Sequence, residues 1–368
     1  MSLKTVSGNY GRPSKGRGAT LNPDGRFERL SREPFEDGWE NPLEEGPGRP
    51  ETIVMAERAH TIITKNESPD IPFTLSINPY RGCEHGCIYC YARPSHAYLN
   101  LSPGIDFETR LFAKVNAADC LRADLSKPGY SCSAITIGAN TDPYQPAERD
   151  WRITRSILEV VSDCNQPVSI ITKNAMVERD LDILAPMAEK RLAQVYVSVT
   201  TLEHDLARKM EPRASAPTRR IQAIRRVAEA GVPVGVMVAP IIPFLTDSAT
   251  EHILEAARDA GALSAGYVLM RLPYEVKDLF KDWLMHHYPL KADHVMSRVK
   301  QMRGGRENDP SFGSRMRGNG EFADLLRIRF EKACRHLGLN SQRRTLDTGL
   351  FRPPRLDGQM DLFSQPRK

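Results

Sequence analysis

The sequence predicts an α/β protein built as a partial (β/α)6 barrel. Six short runs rich in β-branched residues recur between about residues 74 and 275, and longer amphipathic stretches separate them. Such alternation implies parallel strands with right-handed crossovers, as in an open doubly wound sheet or a complete or partial β/α barrel. Six units favour the partial barrel. The expected strands cover residues 74–78, 134–138, 168–172, 195–200, 234–239 and 267–271.

Helical patterns fill the intervals and continue after the last strand. Gly231 is a stop signal for the helix before it, and beyond about residue 276 the β-branched runs end, which predicts a C-terminal helical appendage. The expected helices cover residues 152–163, 178–190, 218–230, 251–259, 279–286, 293–302 and 321–337. The chain then divides into a flexible, extended N-terminal arm (1–65), the barrel (66–278), a basic helical region (279–350) and a mobile tail (351–368).

Composition points to a soluble protein of the reducing cytoplasm. The chain has 368 residues, of which 40% are hydrophobic and 26% charged. No apolar run approaches the ~20 residues of a membrane helix, and the first residues lack the apolar segment of a secretory signal, so we expect no membrane contact. In a reducing compartment, a local group among the seven cysteines indicates metal binding or chemistry rather than disulfides.

The positive charge is concentrated near the C-terminus. The net charge is +5, and residues 291–368 alone carry 17 Lys and Arg against 9 Asp and Glu, a balance of +8. This asymmetry is compatible with an anionic partner such as DNA or another nucleic acid, whose binding is dominated by phosphate neutralisation. A basic, solvated helical face is the alternative.

Three cysteines stand close together directly after the first expected barrel strand. Cys83, Cys87 and Cys90 have the spacing C-x3-C-x2-C within INPYRGCEHGCIYCYARPSH. Three thiolates can converge on one soft metal centre, and a four-iron cluster held by three of them keeps one iron open for a ligand. The alternative is a zinc site with His85 or His96 as fourth ligand, although no second cysteine pair follows.

This motif resembles the signature of the radical S-adenosylmethionine (radical SAM) superfamily, with Tyr89 as the aromatic residue before the last cysteine. The surrounding NPYRGC and CIYCYAR resemble the branch related to spore photoproduct lyase, or DNA repair photolyase-like proteins, over residues 70–280. The resemblance implies a radical SAM-type barrel, a [4Fe-4S] cluster on the three cysteines and S-adenosylmethionine as cofactor. It also implies a flavodoxin- or ferredoxin-like electron donor and reductive cleavage to a 5′-deoxyadenosyl radical that abstracts hydrogen from a substrate.

The resemblance also implies a set of cofactor-binding residues. Several of them follow expected strands, whose C-terminal ends line the functional face of a β/α barrel. Lys173 suits the methionyl carboxylate as an ion-pair partner, and Arg213 suits bidentate recognition of it. For Thr141 and Asp142 an ordinary turn before Pro143 is the alternative. The full set is Tyr89, Tyr91, Thr141, Asp142, Lys173, Ser198 and Arg213.

Catalytic residues on the substrate side are less well indicated. The candidates are Tyr144, and Arg271 and Glu275, which follow the sixth strand. Tyr91, Tyr98 or Tyr144 could relay a hydrogen atom, and an aromatic ring packed near the cofactor is the alternative role. Asn140 stands where the lyase branch is expected to place a hydrogen-donating cysteine, so repair of the same lesion is not expected. The remaining cysteines are interpreted as small buried hydrophobic residues: Cys120, Cys132, Cys164 and Cys334.

The tail resembles the motif by which bacterial repair proteins bind the sliding clamp. Its residues are Gln359, Met360, Asp361, Leu362 and Phe363. A glutamine that hydrogen-bonds and a Leu-Phe pair that fills an apolar pocket make a short binding peptide. Docking of Leu362 and Phe363 on the protein's own surface is the alternative.

Together these features predict a radical enzyme acting on nucleic acid, in the manner of DNA repair, and recruited by the clamp. One alternative keeps the radical chemistry but acts on tRNA, a peptide or a metabolite. The other is a non-catalytic iron–sulfur or zinc accessory protein that binds DNA.

Overall fold

Two sheets organise the structure, a computed structural model that describes residues 14–28, 50–342 and 344–354. The strands are β1 (Ile53–Glu57), β2 (Ile63–Lys65), β3 (Leu75–Ile77), β4 (Tyr80–Arg81), β5 (Arg110–Lys114), β6 (Ile135–Ile137), β7 (Val168–Thr172), β8 (Ala193–Ser198), β9 (Val234–Ile241) and β10 (Ser264–Leu269). The smaller sheet has the order β1-β5-β4 and the larger one the order β10-β9-β8-β7-β6-β3-β2.

The larger sheet confirms the predicted α/β fold of partial-barrel type. Strands β3, β6, β7, β8, β9 and β10 pair in parallel, and β2 adds an antiparallel edge beside β3. The parallel strands lie side by side in chain order, so the sheet grows in one direction. A doubly wound sheet would reverse its order part-way. Each of the six predicted strands corresponds to one of these parallel strands.

Helices follow the strands as the sequence predicts, with boundaries that differ by a few residues. The α-helices are Asp106–Thr109, Ala117–Leu125, Glu148–Trp151, Ile153–Asp163, Leu181–Glu189, His204–Met210, Pro217–Glu229, Thr250–Asp259, Val276–His287, Pro289–Gln301, Ser314–Arg317 and Glu321–His336. Short 3-10 helices cover Arg93–Leu99, Ala175–Asp180 and Asp247–Ala249. In the part of the chain that the structure describes, no helix has both the length and the apolar character to span a membrane.

The C-terminal ends of the parallel strands meet at one edge of the sheet. Ile77 pairs with Ile137, and Ile137 pairs with Ile170, so the segments after β3, β6 and β7 emerge side by side. Gly138 has a φ of +93°, and a Cβ there would lie 2.4 Å from the carbonyl oxygen of Ile171. A side chain would therefore block the turn by which the chain leaves β6.

Part of the expected N-terminal arm is structured instead. Residues 53–57 and 63–65 form β1 and β2, because each finds a partner strand that satisfies its backbone groups. The segment 14–28 packs beside the cysteine loop, where the Glu108 carboxylate accepts hydrogen bonds from the backbone N–H groups of Gly18, at 2.9 Å, and Ala19, at 2.8 Å. Residues 1–13 and 29–49 lie outside the described residues, as does the proposed clamp motif, Gln359 to Phe363.

A substitution at Gly18 tests how closely residues 14–28 pack against the cysteine loop. A Cβ at Gly18 would lie 1.8 Å from the carbonyl oxygen of Gly86, whereas one at Gly25 would meet its neighbours at 3.4 Å. We expect Gly18→Ala to lower the free energy of unfolding by about 1–3 kcal/mol through overpacking. Gly25→Ala, in the same segment, should be tolerated. Chemical denaturation of the two variants measures the difference, and equal stabilities would contradict the close packing.

Candidate active site

The three cysteines lie on a loop that leaves β4 and turns twice. The backbone N–H of Cys83 donates to the carbonyl of Phe107 at 2.9 Å, which anchors the start of the loop. Gly86 N–H donates to the Cys83 carbonyl at 3.3 Å, and Cys90 N–H donates to the Cys87 carbonyl at 3.2 Å. The turns place the three free thiols on one loop, with Cys83 and Cys87 buried and Cys90 half-buried.

A buried ion pair holds this loop from one side. Arg93 and Glu108 are both fully buried, and their side chains meet at 2.5 Å. A buried charge is tolerated only when it is paired and its remaining hydrogen-bonding groups are satisfied, and Arg93 meets both conditions. Its other N–H groups donate to four backbone carbonyls, those of Gly86, Cys87, Pro103 and Gly104. Arg93 therefore fixes the path of the loop at its second cysteine, Cys87.

A second buried ion pair lies on the other side of the cysteines. Arg220 donates to Glu211 at 2.5 Å, and both side chains are about 1% exposed. Glu211 also accepts hydrogen bonds from the hydroxyls of Tyr89 and Thr200. Burial alone would raise the pKa of Glu211, but the positive charges of Arg220 and Lys173 lower it to about 2. The carboxylate thus stays ionised and orients Tyr89, which lies within the cysteine loop.

Asp142 connects the loop to the neighbouring strand end. Its carboxylate accepts hydrogen bonds from the Thr172 hydroxyl at 2.7 Å and from the backbone N–H of Lys173 at 2.6 Å. It also lies 3.4 Å from Nδ1 of His85, whose imidazole is buried. Burial lowers the pKa of His85 despite the attraction of Asp142, so the ring is neutral at pH 7. Asp142 therefore stands beside the cysteines. Its oxygens hold the end of β7 next to His85 of the cysteine loop.

Lys173 is a cation close to the cysteine loop. Its Nζ lies 5.9 Å from the ring centre of Tyr89. Its charge acts on both Cys87 and Glu211. None of the ion pairs of the described residues involves Lys173, so its ammonium is available to a ligand.

The hydroxyl and guanidinium candidates have different surroundings. Thr141 donates its hydroxyl to the carbonyl of Tyr80 at 2.9 Å, and Ser198 is buried with its backbone carbonyl bonded to Arg220. Arg213 pairs with Glu84 at 2.6 Å, and its backbone N–H donates to the His85 carbonyl. Thr141, Ser198 and Arg213 therefore lie next to the cysteine loop or next to residues that support it.

Arg271 lies beside the cysteine loop. Its guanidinium carbon is 5.6 Å from the ring centre of Tyr91, which follows Cys90 directly. Its Nε is buried without a hydrogen-bond partner, its NH1 donates to Sδ of Met316 at 3.7 Å, and the ion pairs of the described residues include none with Arg271. Burial and the neighbouring Arg315 lower the pKa of Arg271, while the negative charge of Asp70, which pairs with Arg315, acts in the opposite direction. Glu275 is instead turned toward Arg26, 3.6 Å away.

Tyr144 differs from the other candidates in its position. It is fully buried in the main core, and its ring centre lies 5.9 Å from the guanidinium of Arg179. The negative charge of Asp180 acts on its hydroxyl. Because its side chain is fully buried in the core, the geometry favours a supporting role for Tyr144 over a relay of hydrogen atoms.

The cysteines fit a soft metal cluster. Burial raises the pKa of the Cys83 thiol well above its usual range and that of Cys87 to about 12, so bound metal must displace their protons. Among the described residues no three ligands converge closely enough for a single metal ion. A four-iron cluster does not need that convergence, because each thiolate binds a different iron. His96, the other zinc candidate, bonds through Nε2 to the carbonyl of Arg110.

A family model described as the radical SAM superfamily matches residues 77–257, which contain the cysteine loop and strands β4 to β9. The chain belongs to the radical SAM superfamily. Radical SAM proteins use a [4Fe-4S] cluster and S-adenosylmethionine, so this protein is an enzyme of radical chemistry with those cofactors. The zinc site and the non-catalytic accessory protein are thereby set aside.

The chain is also similar to uncharacterised proteins and to solved structures. An uncharacterised protein of Mycobacterium tuberculosis is 34% identical over 70% of this chain and 77% of its own length. An uncharacterised protein of Methanocaldococcus jannaschii is 28% identical over 61% of this chain and 80% of its own length. Spore photoproduct lyase complexed with dinucleoside spore photoproduct has a TM-score of 0.57 at 16% identity, covering 78% of this chain and 80% of that one. A lyase variant with bound AdoMet and the same dinucleoside has a TM-score of 0.56 over the same shares. These structures show a shared fold.

The sequence did not predict the four residues of the buried ion pairs that support the cysteine loop, which are Arg93, Glu108, Glu211 and Arg220. Their partners are known only once the chain has folded. Arg93 ends the segment CIYCYAR, so it alone of the four stands in a motif quoted from the sequence.

The ionisation of Glu211 should make the stability of the protein depend on pH. Folding lowers the pKa of Glu211 from 4.5 to about 2. Its contribution to the free energy of unfolding is therefore complete above pH 4.5 and is lost as the pH falls toward 2. Between about pH 7 and about pH 3.5 the metal-free wild type should lose roughly 1.4 kcal/mol of unfolding free energy through this group, and Glu211→Gln should not. The variant should also be less stable at neutral pH, because Arg220 loses its partner. Urea unfolding at both pH values measures this, and identical pH dependence in the two proteins would contradict it.

Proposed function

We propose that this enzyme binds its cluster through Cys83, Cys87 and Cys90 and abstracts hydrogen from a nucleic-acid substrate. The observation that carries the substrate class is Arg271, a guanidinium beside Tyr91 that forms no ion pair of its own among the described residues. A half-buried cation outside any ion pair favours an anionic ligand. The phosphodiester backbone supplies such charges at regular intervals.

The residues around the cluster loop suit S-adenosylmethionine. Lys173 would pair with its carboxylate, and Arg213 and Ser198 would border its polar groups, with Tyr89 and Tyr91 packing against it. Thr141 and Asp142 would hold the adjoining edge in place. When bound, the cluster and cofactor supply the electron and the 5′-deoxyadenosyl group that hydrogen abstraction requires.

Several observations support nucleic acid over the other substrates. Residues 291–368 carry a balance of +8, and Arg315 of this region, itself paired with Asp70, lies close enough to Arg271 to act on its pKa. Spore photoproduct lyase, which shares the fold, has been solved with a dinucleoside lesion. A tRNA, peptide or metabolite substrate remains the second candidate. We further propose a cytoplasmic location and an electron donor of the flavodoxin or ferredoxin type.

Isotope transfer tests the proposed reaction. The reconstituted, reduced enzyme is incubated with S-adenosylmethionine and a deuterated oligonucleotide, either undamaged or irradiated with ultraviolet light. We expect 5′-deoxyadenosine that carries deuterium from the oligonucleotide. Cys83→Ala should form none, whereas Cys120→Ala, which changes a buried cysteine outside the loop, should retain the activity. Product without deuterium from either oligonucleotide would reject the nucleic-acid substrate while leaving the radical chemistry intact.

We also propose that the tail residues Gln359, Met360, Asp361, Leu362 and Phe363 bind the bacterial sliding clamp. The support is the sequence motif itself together with a nucleic-acid substrate. A fluorescent peptide of residues 352–368 should bind purified clamp, and changing Leu362 and Phe363 to Ala should abolish binding. Equal binding by both peptides would reject the proposal.

A further inference from the structure

Three aromatic side chains form an exposed group. We call Phe27, Tyr98 and Tyr274, which surround Arg26, the aromatic rim. Their exposed fractions are 50%, 71% and 66%. Contiguous exposed aromatic rings are uncommon on a protein surface and mark interaction sites.

Arg26 holds the aromatic rim together. Its guanidinium carbon lies 4.0 Å from the ring centre of Tyr274, 5.1 Å from that of Phe27 and 5.6 Å from that of Tyr98. It also donates to the carbonyl of Pro94 at 3.3 Å. The rings are therefore fixed by one central cation, with outer faces left to solvent.

The backbone at Tyr274 is an independent sign of function. Its φ is +50°, in the left-handed region that side chains other than glycine seldom adopt. Such conformations persist where the surrounding structure enforces them, and they concentrate at ligand sites. Here the residue in this conformation carries a large ring that is 66% exposed.

The aromatic rim adjoins the proposed reaction site on two sides. Tyr98 lies on the 3-10 helix Arg93–Leu99, which begins three residues after Cys90. Tyr274 follows Arg271 by three residues. Tyr98 and Tyr274 therefore belong to the segments that follow the third cysteine and Arg271, and Arg26 brings their rings together.

We propose that the aromatic rim stacks unpaired bases of a nucleic-acid strand while Arg271 holds one of its phosphates. This inference rests on the proposed function and names the form of the substrate, a single-stranded or locally unpaired segment. Aromatic rings interleaved with arginines bind such segments because every base has a face to stack and every linkage carries a charge. Paired bases keep their faces inside the duplex and gain nothing from the rings.

Binding of a labelled oligonucleotide tests the inference. The probe is a fluorescein-labelled oligothymidylate of about 12 nucleotides, a length within the range of single-strand binding sites. It is presented to the reconstituted enzyme alone or annealed to its complement, and anisotropy is measured at several salt concentrations. We expect the single strand to bind more tightly than the duplex.

Matched variants separate stacking from general binding. Tyr98→Ala and Tyr274→Ala should each weaken single-strand binding at least about five-fold, and Tyr98→Phe and Tyr274→Phe should bind as the wild type does, because the ring is kept. Arg271→Gln should reduce the slope of log affinity against log salt concentration by about one, as expected for the loss of one phosphate contact. Leu290→Ala, which changes a 96% exposed apolar side chain, is the surface control. Iron content per chain confirms that each variant is loaded.

The outcomes distinguish this inference from the proposed function. Wild-type binding that both alanine variants retain would overturn the aromatic rim as a stacking surface and leave the nucleic-acid substrate standing. A wild type that binds neither form of the probe would overturn both and favour a peptide or metabolite. Equal affinity for single strand and duplex would also overturn the stacking of unpaired bases.

Discussion

The buried pair of Arg93 and Glu108 is the interaction on which the active site depends. The cysteine loop has little regular structure of its own, and its path is set by the hydrogen bonds that Arg93 donates to the carbonyls of Gly86 and Cys87. Glu108 makes that arrangement possible by neutralising the guanidinium, and it joins the segment at Gly18 to the same network. Loss of the carboxylate would leave a buried charge beside the cluster ligands.

The charged groups around the site are of two kinds. The ion pairs of Arg93 and Arg220 are internally balanced and serve to hold backbone and side chains in place. Lys173 and Arg271 have no ion-pair partner among the described residues. Balanced pairs give rigidity, and unbalanced cations give attraction for anionic ligands. This contrast connects the fold to the proposed cofactor and substrate.

The sequence alone predicted the fold class, the six parallel strands and the radical chemistry, because each rests on a local pattern. Alternation of β-branched runs marks parallel strands, and the spacing of Cys83, Cys87 and Cys90 marks a cluster. The supports of the loop were not predictable in this way. Arg93 and Glu108 are 15 residues apart, and Gly18 is a further 90 residues from Glu108, so their association depends on the folded chain. The same holds for β1, whose partner β5 lies beyond the cysteines.

Iron loading of Glu108→Gln tests the central claim most directly. The variant keeps the size of the side chain but removes the charge that balances Arg93. Glu331→Gln, at a 53% exposed position paired with Arg327, is the matched control. If the buried pair positions the cluster loop, Glu108→Gln should retain its secondary structure but take up much less iron and form much less 5′-deoxyadenosine than the wild type, and Glu331→Gln should match the wild type. Wild-type iron content and product yield in Glu108→Gln would contradict the account.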